Sequence, residues 1–141
     1  MIILPVTLTI AGAAALLNIW LAVRAGRVRM SEKVSHGDGG NPRLTARMRA
    51  HANFAEYTPF VLILIGAIEL ARGTSLWLWG IGMIYVIGRV LHAFGMDAAK
   101  AGPLRLIGIL VTLAVLLVLA GWALYIPYVG FTPIVTEVAM S

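Results

Sequence analysis

The stretch Arg47-Met48-Arg49-Ala50-His51-Ala52-Asn53-Phe54-Ala55-Glu56-Tyr57-Thr58-Pro59 runs directly into the apolar segment Phe60 to Ile68. As an α-helix it turns about 100° per residue. Arg49, Asn53, Glu56 and Phe60 then fall within an arc of roughly 60°, because i, i+4, i+7 and i+11 share a face. A cation, an amide and a carboxylate thus form one stripe where the chain enters a bilayer. Hydrocarbon tolerates such a stripe only where it meets protein, water or a ligand. The stretch therefore predicts a membrane helix with one polar face, and what that face meets decides the function.

Composition agrees with a membrane setting. The chain has 141 residues, 60% of them hydrophobic and 12% charged, with a mean hydropathy of +0.92. A soluble domain carries about a quarter charged residues. The length suggests one domain, residues 1–141. The net charge of +5 lies mostly between apolar runs, which fits an orientation signal and not a nucleic-acid surface. There is no cysteine, so any thiol chemistry must use a thiol brought by a ligand. Three histidines without ligand spacing argue against a metal site.

Working outward from the stretch, four spans are predicted, at about 2–29, 44–72, 75–99 and 103–126. Met1 to Val23 carries no charged side chain and is long enough to cross roughly 30 Å of hydrocarbon, so it reads as a retained span and not a signal peptide. Its Ala11-Gly12-Ala13-Ala14-Ala15 run offers a small-residue packing surface. His36 to Pro42 reads as a loop by its Gly, Asn and Pro content. Pro59 is expected to kink the second helix, and Glu69 with Arg72 to form an i, i+3 pair at its far end. In the third helix, Gly80, Gly88 and Gly95 read as a close-packing side, with Arg89, His92 and Met96 roughly opposite. Pro103 suits the first turn of the fourth helix. Pro127 and Pro133 are expected to end that span near Tyr125, with Trp122, Tyr125, Tyr128 and Phe131 at the interface and a loosely ordered tail to Ser141.

Arg24 to Arg49 is the most basic connection, holding Arg24, Arg27, Arg29, Lys33, Arg43, Arg47 and Arg49. The positive-inside rule makes that side cytoplasmic and both termini periplasmic in a bacterial inner membrane. Arg29, Arg49, Asn53, Glu56, Arg89, His92 and Arg105 then fall at one depth in the cytoplasmic leaflet. One reading is an ion-pair network in which Glu56 pairs with Arg89 or Arg105. The other is an anionic ligand, because more cations than carboxylates converge and arginine suits carboxylates. A single Glu suits an ammonium on the same ligand, and glutathione has that pattern.

Arg49-Ala50-His51-Ala52-Asn53-Phe54-Ala55-Glu56, followed by Pro59, resembles the second-helix signature of the MAPEG family, the membrane-associated proteins of eicosanoid and glutathione metabolism. Gly26-Arg27-Val28-Arg29, Gly88-Arg89-Val90-Leu91-His92 and Pro103-Leu104-Arg105 resemble segments of that family's first, third and fourth helices. The resemblance is nearest to small bacterial members. It implies an all-α, up-down bundle of four transmembrane helices in a homotrimer, with glutathione as cosubstrate between subunits. By position it implies that Arg29, Arg49, Asn53, Glu56, His92 and Arg105 contact or support the ligand. Arg105 matches the arginine near the glutathione sulfur and is the catalytic candidate. The expected activity is a transferase or peroxidase acting on lipophilic electrophiles. Ala52, Met96, Leu106 and Ile109 depart from the eicosanoid enzymes, removing a charge and hydroxyls. They argue against a prostaglandin or leukotriene synthase and favour the first rival, a non-catalytic lipid-binding member. A small multidrug exporter is the second rival, but exporters carry their glutamate in helix one, which here has none.

Overall fold

The computed structural model describes residues 3–98 and 102–130. Its four helices are α1 (Pro5–Ser31), α2 (Pro42–Arg72), α3 (Leu76–Gly95) and α4 (Pro103–Gly130). All four are long and apolar enough to cross a membrane. At 1.5 Å per residue the 20-residue α3 spans roughly 30 Å, one hydrocarbon thickness. The described residues contain no strand. The expected end of the third helix at 99, the loop residue Lys100, and the tail with Phe131 and Pro133 lie outside the described residues.

The helix starts follow from prolines. Pro5, Pro42 and Pro103 each open a helix, where a missing N–H costs nothing. At α2 the Asn41 side chain accepts from the N–H groups of Arg43 and Leu44, at 3.0 and 3.1 Å. The Asn-Pro pair read as the loop's end is therefore a helix cap, and α2 begins two residues earlier than expected. Ser75 caps α3 in the same way, through the N–H of Leu78 at 3.2 Å. Pro127 does not end α4, which continues to Gly130.

The helices alternate in direction. Glu69 at the end of α2 meets Val6 and Thr7 at the start of α1, and Gly88 of α3 meets Val111 of α4. α1 pairs with α2 and α3 with α4. α2 also touches α3 and α4, and α3 touches α1, while α1 and α4 do not meet among the described residues. One core cluster is Val6, Ile10, Val61, Ile65, Ile68, Leu78, Tyr85, Val115 and Leu119. A second cluster, Ala14, Leu17, Leu21, Phe54 and Ala93, continues it towards the basic side.

The glycine side of α3 is real but differently composed. A Cβ on Gly88 would lie 2.6 Å from Val111, and one on Gly95 would overlap the backbone of Arg105. A Cβ on Gly108 would lie within 2.7 Å of the His92 backbone. Gly80, by contrast, has nothing within 4 Å, and Gly82 packs on Ile10 of α1, on another face of the helix. His92 is therefore not opposite the glycines. It lies between Gly88 and Gly95, at i+4 and i−3, on the side that meets α4.

Glu69 is the other correction. It makes no pair with Arg72, which is exposed. Its carboxylate is buried and accepts four hydrogen bonds: from the N–H of Val6 at 3.0 Å, the N–H of Thr7 at 2.8 Å, the Thr7 hydroxyl at 2.6 Å and the Thr74 hydroxyl at 2.9 Å. The N-cap residue Leu4 supplies no side-chain acceptor. A carboxylate from another helix thus caps α1, where orphan donors and the helix dipole both favour negative charge.

Candidate functional site

At the opposite end of the bundle, the last turns of α1 and α3 and the first turns of α2 and α4 come together. Asp97, just past α3, pairs with Arg24 of α1 and with Arg47 of α2, the latter at 3.4 Å. Arg47 also donates to the Arg24 carbonyl at 2.9 Å. The Arg24 guanidinium lies 4.4 Å from the Trp20 ring centre and 5.6 Å from that of Phe94. These are the ion pairs among the described residues. They set one carboxylate against two cations of the basic segment and hold three helices at one level. In the loop, the Gly40 N–H and the Thr45 hydroxyl bond Asp38 and hold its carboxyl below the ordinary carboxylate range.

The stripe that opened the reading turns away from the bundle. α2 buries Ala50, Phe54, Thr58, Val61 and Ile65 on its other side. Arg49, Glu56 and Phe60 are exposed, and Asn53 is half-buried. Phe60 is 64% exposed. Among the described residues Glu56 pairs with neither Arg89 nor Arg105, so the self-contained ion-pair network is not formed. Arg89 is buried instead. Its Nη2 donates to Asn53 Oδ1 at 2.9 Å and its Nη1 to Thr112 Oγ1 at 3.2 Å, with the Phe54 ring 5.7 Å away. His92 is also buried, with Nδ1 3.2 Å from the Arg105 carbonyl. As a donor, that nitrogen fixes the first turn of α4.

Arg49 and Arg105 come together. They line an open cleft of about 690 Å³ with Arg43, Thr45, Met96, Asp38 and Asp97. That volume lies inside the usual range of roughly 300–1,000 Å³ for small-molecule sites. Arg105 also lines a second, more apolar groove of about 310 Å³ with Pro103, Leu106 and Ile109. Arg105 therefore lines both a charged cleft and an apolar groove.

Arg29 lies elsewhere. It lines a groove of about 480 Å³ between α1 and α2, with Met48, His51, Ala52 and Ala55. Its Nη1 donates to the carbonyls of Val34 and Ser35, both at 3.4 Å. This groove continues past the hydrogen bond between His51 Nε2 and Asn18 Oδ1, at 2.8 Å, into an apolar groove lined by Ala11, Ala14, Ala15 and Leu62. The expected small-residue surface of α1 thus borders open space as much as it packs. The expected residues accordingly divide into a cleft (Arg49, Arg105), an outward stripe (Glu56), a buried pair behind it (Asn53, Arg89), a buried brace (His92) and a groove on the far side of α2 (Arg29).

Thr112 and Asp97 were not foreseen. Thr112 sits in an apolar helix and carries no local signal, since its role needs Arg89 opposite. Asp97 does carry one, as an acidic residue in a turn facing the basic connection. Among the described residues no three His, Asp or Glu side chains converge as a metal site would require.

Residues 7–125 match the sequence profile of the MAPEG family. Over 83 residues, 58% of this chain, the sequence is 34% identical to the inner membrane protein YecN of Escherichia coli strain K12. The same figures hold for the protein of that name in Escherichia coli O6:H1. The match spans 63% of the relative's length. Four membrane-crossing helices, the second-helix stripe and a profile match over most of the chain lead to one conclusion: this protein is an integral membrane protein of the MAPEG family.

Proposed function

We propose that this protein is a glutathione-dependent transferase or peroxidase of the inner membrane, acting on lipophilic electrophiles as a homotrimer. The observation that carries the reading is the place of Arg105, between the charged cleft with Arg49 and the apolar groove with Leu106 and Ile109. A polar ligand in the first and an apolar one in the second would meet at its guanidinium.

The cleft's donors fit the tripeptide. Arg43 and Arg49 offer planar forks for carboxylates, and Asp38 offers a partner for an ammonium. Glu56 is a further ammonium partner if a second copy closes over the stripe. Glutathione supplies the sulfur nucleophile when bound. Arg105 favours the sulfur as thiolate, because a nearby cation stabilises the charged form. Leu106 and Ile109 exclude water beside it and admit an apolar substrate from the membrane.

The trimer is supported by the split of the site. The Arg49–Glu56 side and the Arg29 groove lie on different faces of α2, so one copy cannot bring them together. A head-to-tail contact, one face against the other on the next copy, generates a ring where the rotation between copies closes, after three copies in the proposed trimer. It would also remove Glu56 from lipid. The basic connection supports a cytoplasmic cleft and periplasmic termini in this reading.

Calorimetric titration of the detergent-purified protein with glutathione tests this reading. Saturable binding that weakens at least roughly tenfold in Arg49→Ala, the loss of one charged hydrogen-bond partner, is expected. Absence of binding in an intact, folded oligomer would remove glutathione. The lipid-binding alternative, which the apolar groove along α1 and α2 favours, would then lead.

A further inference from the structure

Arg89 is 2% exposed and makes no ion pair among the described residues. Its Nε has no hydrogen-bond partner. A guanidinium that deep is normally matched by a carboxylate, because an uncompensated buried charge is costly. Here the nearest polar groups are neutral: the Asn53 amide on α2 and the Thr112 hydroxyl on α4. Thr112 is itself tied to the Gly108 carbonyl at 2.8 Å, so its lone pair is aimed at Arg89.

The choice of an amide at position 53 has a directional consequence. A guanidinium carries only donors. Asn53 must therefore turn its oxygen inward, since the reversed amide would set N–H against N–H. Its Nδ2 then points away from Arg89. Among the described residues this nitrogen has no partner in the protomer, and it is not among the buried unsatisfied atoms. It belongs to the outward stripe between Arg49 and Glu56. An aspartate here would neutralise Arg89 and satisfy the core more simply. The amide gives up that neutralisation and keeps a donor on the outer side.

We propose that Arg89, braced by Thr112, is a positioning residue that locks the Asn53 amide with Nδ2 outward. Position 53 thereby reads a hydrogen-bond acceptor on the ligand, a carboxylate or carbonyl oxygen. Arginine is needed because its fork spans from α3 to α2 and α4 at once, which a single ammonium cannot do. The ligand's identity in this proposal rests on the glutathione reading, whereas the lock itself does not.

The chain favours a direct test. Asn18, Asn41 and Asn53 are its asparagines and it has no glutamine, so ¹⁵N-asparagine labelling gives few side-chain amide signals. In the free wild type, the two Asn53 Nδ2 protons should be distinct, sharp and exchangeable with water. In Arg89→Met they should shift and broaden as the amide reorients. With glutathione, the wild-type Asn53 pair should move, and Arg89→Met should bind several-fold more weakly. Asn53→Asp should melt at or above the wild-type temperature, having gained an ion pair, yet bind glutathione at least roughly tenfold more weakly. Asn53 signals that are the same in Arg89→Met and wild type would overturn the lock. Asn53→Asp binding within about twofold of wild type would overturn the acceptor-reading role. If the wild type binds no glutathione at all, the glutathione reading fails, and the free-protein spectra still decide the lock.

Discussion

Replacing Glu69 by alanine should destabilise the bundle from the end remote from the cleft. The carboxylate is 2% exposed and accepts from two backbone N–H groups, Val6 and Thr7, and from the hydroxyls of Thr7 and Thr74. The hydroxyls can turn to other acceptors once it is gone. The two N–H groups cannot, because they are the first donors of α1, Pro5 precedes them and Leu4 offers no cap. Each orphaned donor costs about 1–3 kcal/mol, and the lost charge at a helix N-terminus about 0.3–1 kcal/mol more. Desolvating the carboxylate offsets part of this, which leaves a net loss of about 3 kcal/mol. For a chain of this size that corresponds to a melting temperature lower by roughly 10 °C. Thermal unfolding in a mild detergent, followed by circular dichroism, reads it. Glu69→Gln should fall between, since it keeps one acceptor and sets an N–H₂ against a donor. A Glu69→Ala protein that melts with the wild type would refute the cap. A loss of glutathione binding at full thermal stability would show that Glu69 acts at the site instead.

Three further outcomes are expected. Reporter fusions should place Ser141 in the periplasm and Gly39 in the cytoplasm, and the reverse result would move the cleft to the other leaflet. Gly108→Val should disrupt α3–α4 packing, because its Cβ would lie within 2.7 Å of the His92 backbone; the loss, about 3 kcal/mol or more from overpacking, is read by thermal unfolding. Glu56→Gln should weaken glutathione binding while the proposed trimer persists on size-exclusion chromatography with light scattering; an intact assembly with unchanged affinity would leave Glu56 without a role at the ligand.

The sequence made the four spans readable because each holds a strongly apolar window with few charges, and prolines and polar turns separate them. It also made the stripe readable, because Arg49, Asn53 and Glu56 recur at helical spacing just before the apolar segment Phe60 to Ile68. What such spacing conveys is direction around one helix. It does not convey which neighbour lies in that direction, and the errors follow from this. Glu69 was matched to Arg72 three residues away, while its partners are Val6 and Thr7, 63 and 62 positions distant. Arg89 was grouped with the ligand residues by depth, while the fold sets it behind Asn53. Gly80 looked like part of a packing side by type alone, and only the path of α4 shows that Gly88 and Gly95 belong to it and Gly80 does not. The Asn41-Pro42 cap was legible from local chemistry and was hidden by the glycines before it. The division of Arg29 from Arg105 needs the thickness of α2 between them, which no linear pattern contains.

The account stands most directly on the state of the ligand's sulfur beside Arg105. A free thiol of this kind has a pKa of about 8.5 and is mostly protonated at neutral pH. A guanidinium at the border of the cleft and the apolar groove should raise the thiolate fraction. The measurement is the near-ultraviolet difference absorbance of glutathione added to the purified protein at neutral pH. The account predicts a saturable thiolate band in the wild type. It predicts loss of the band in Arg105→Leu with much of the binding retained, and a parallel loss of conjugation to a chlorinated nitrobenzene. Glutathione that binds the wild type without forming thiolate, or an Arg105→Leu protein that turns over normally, would contradict it.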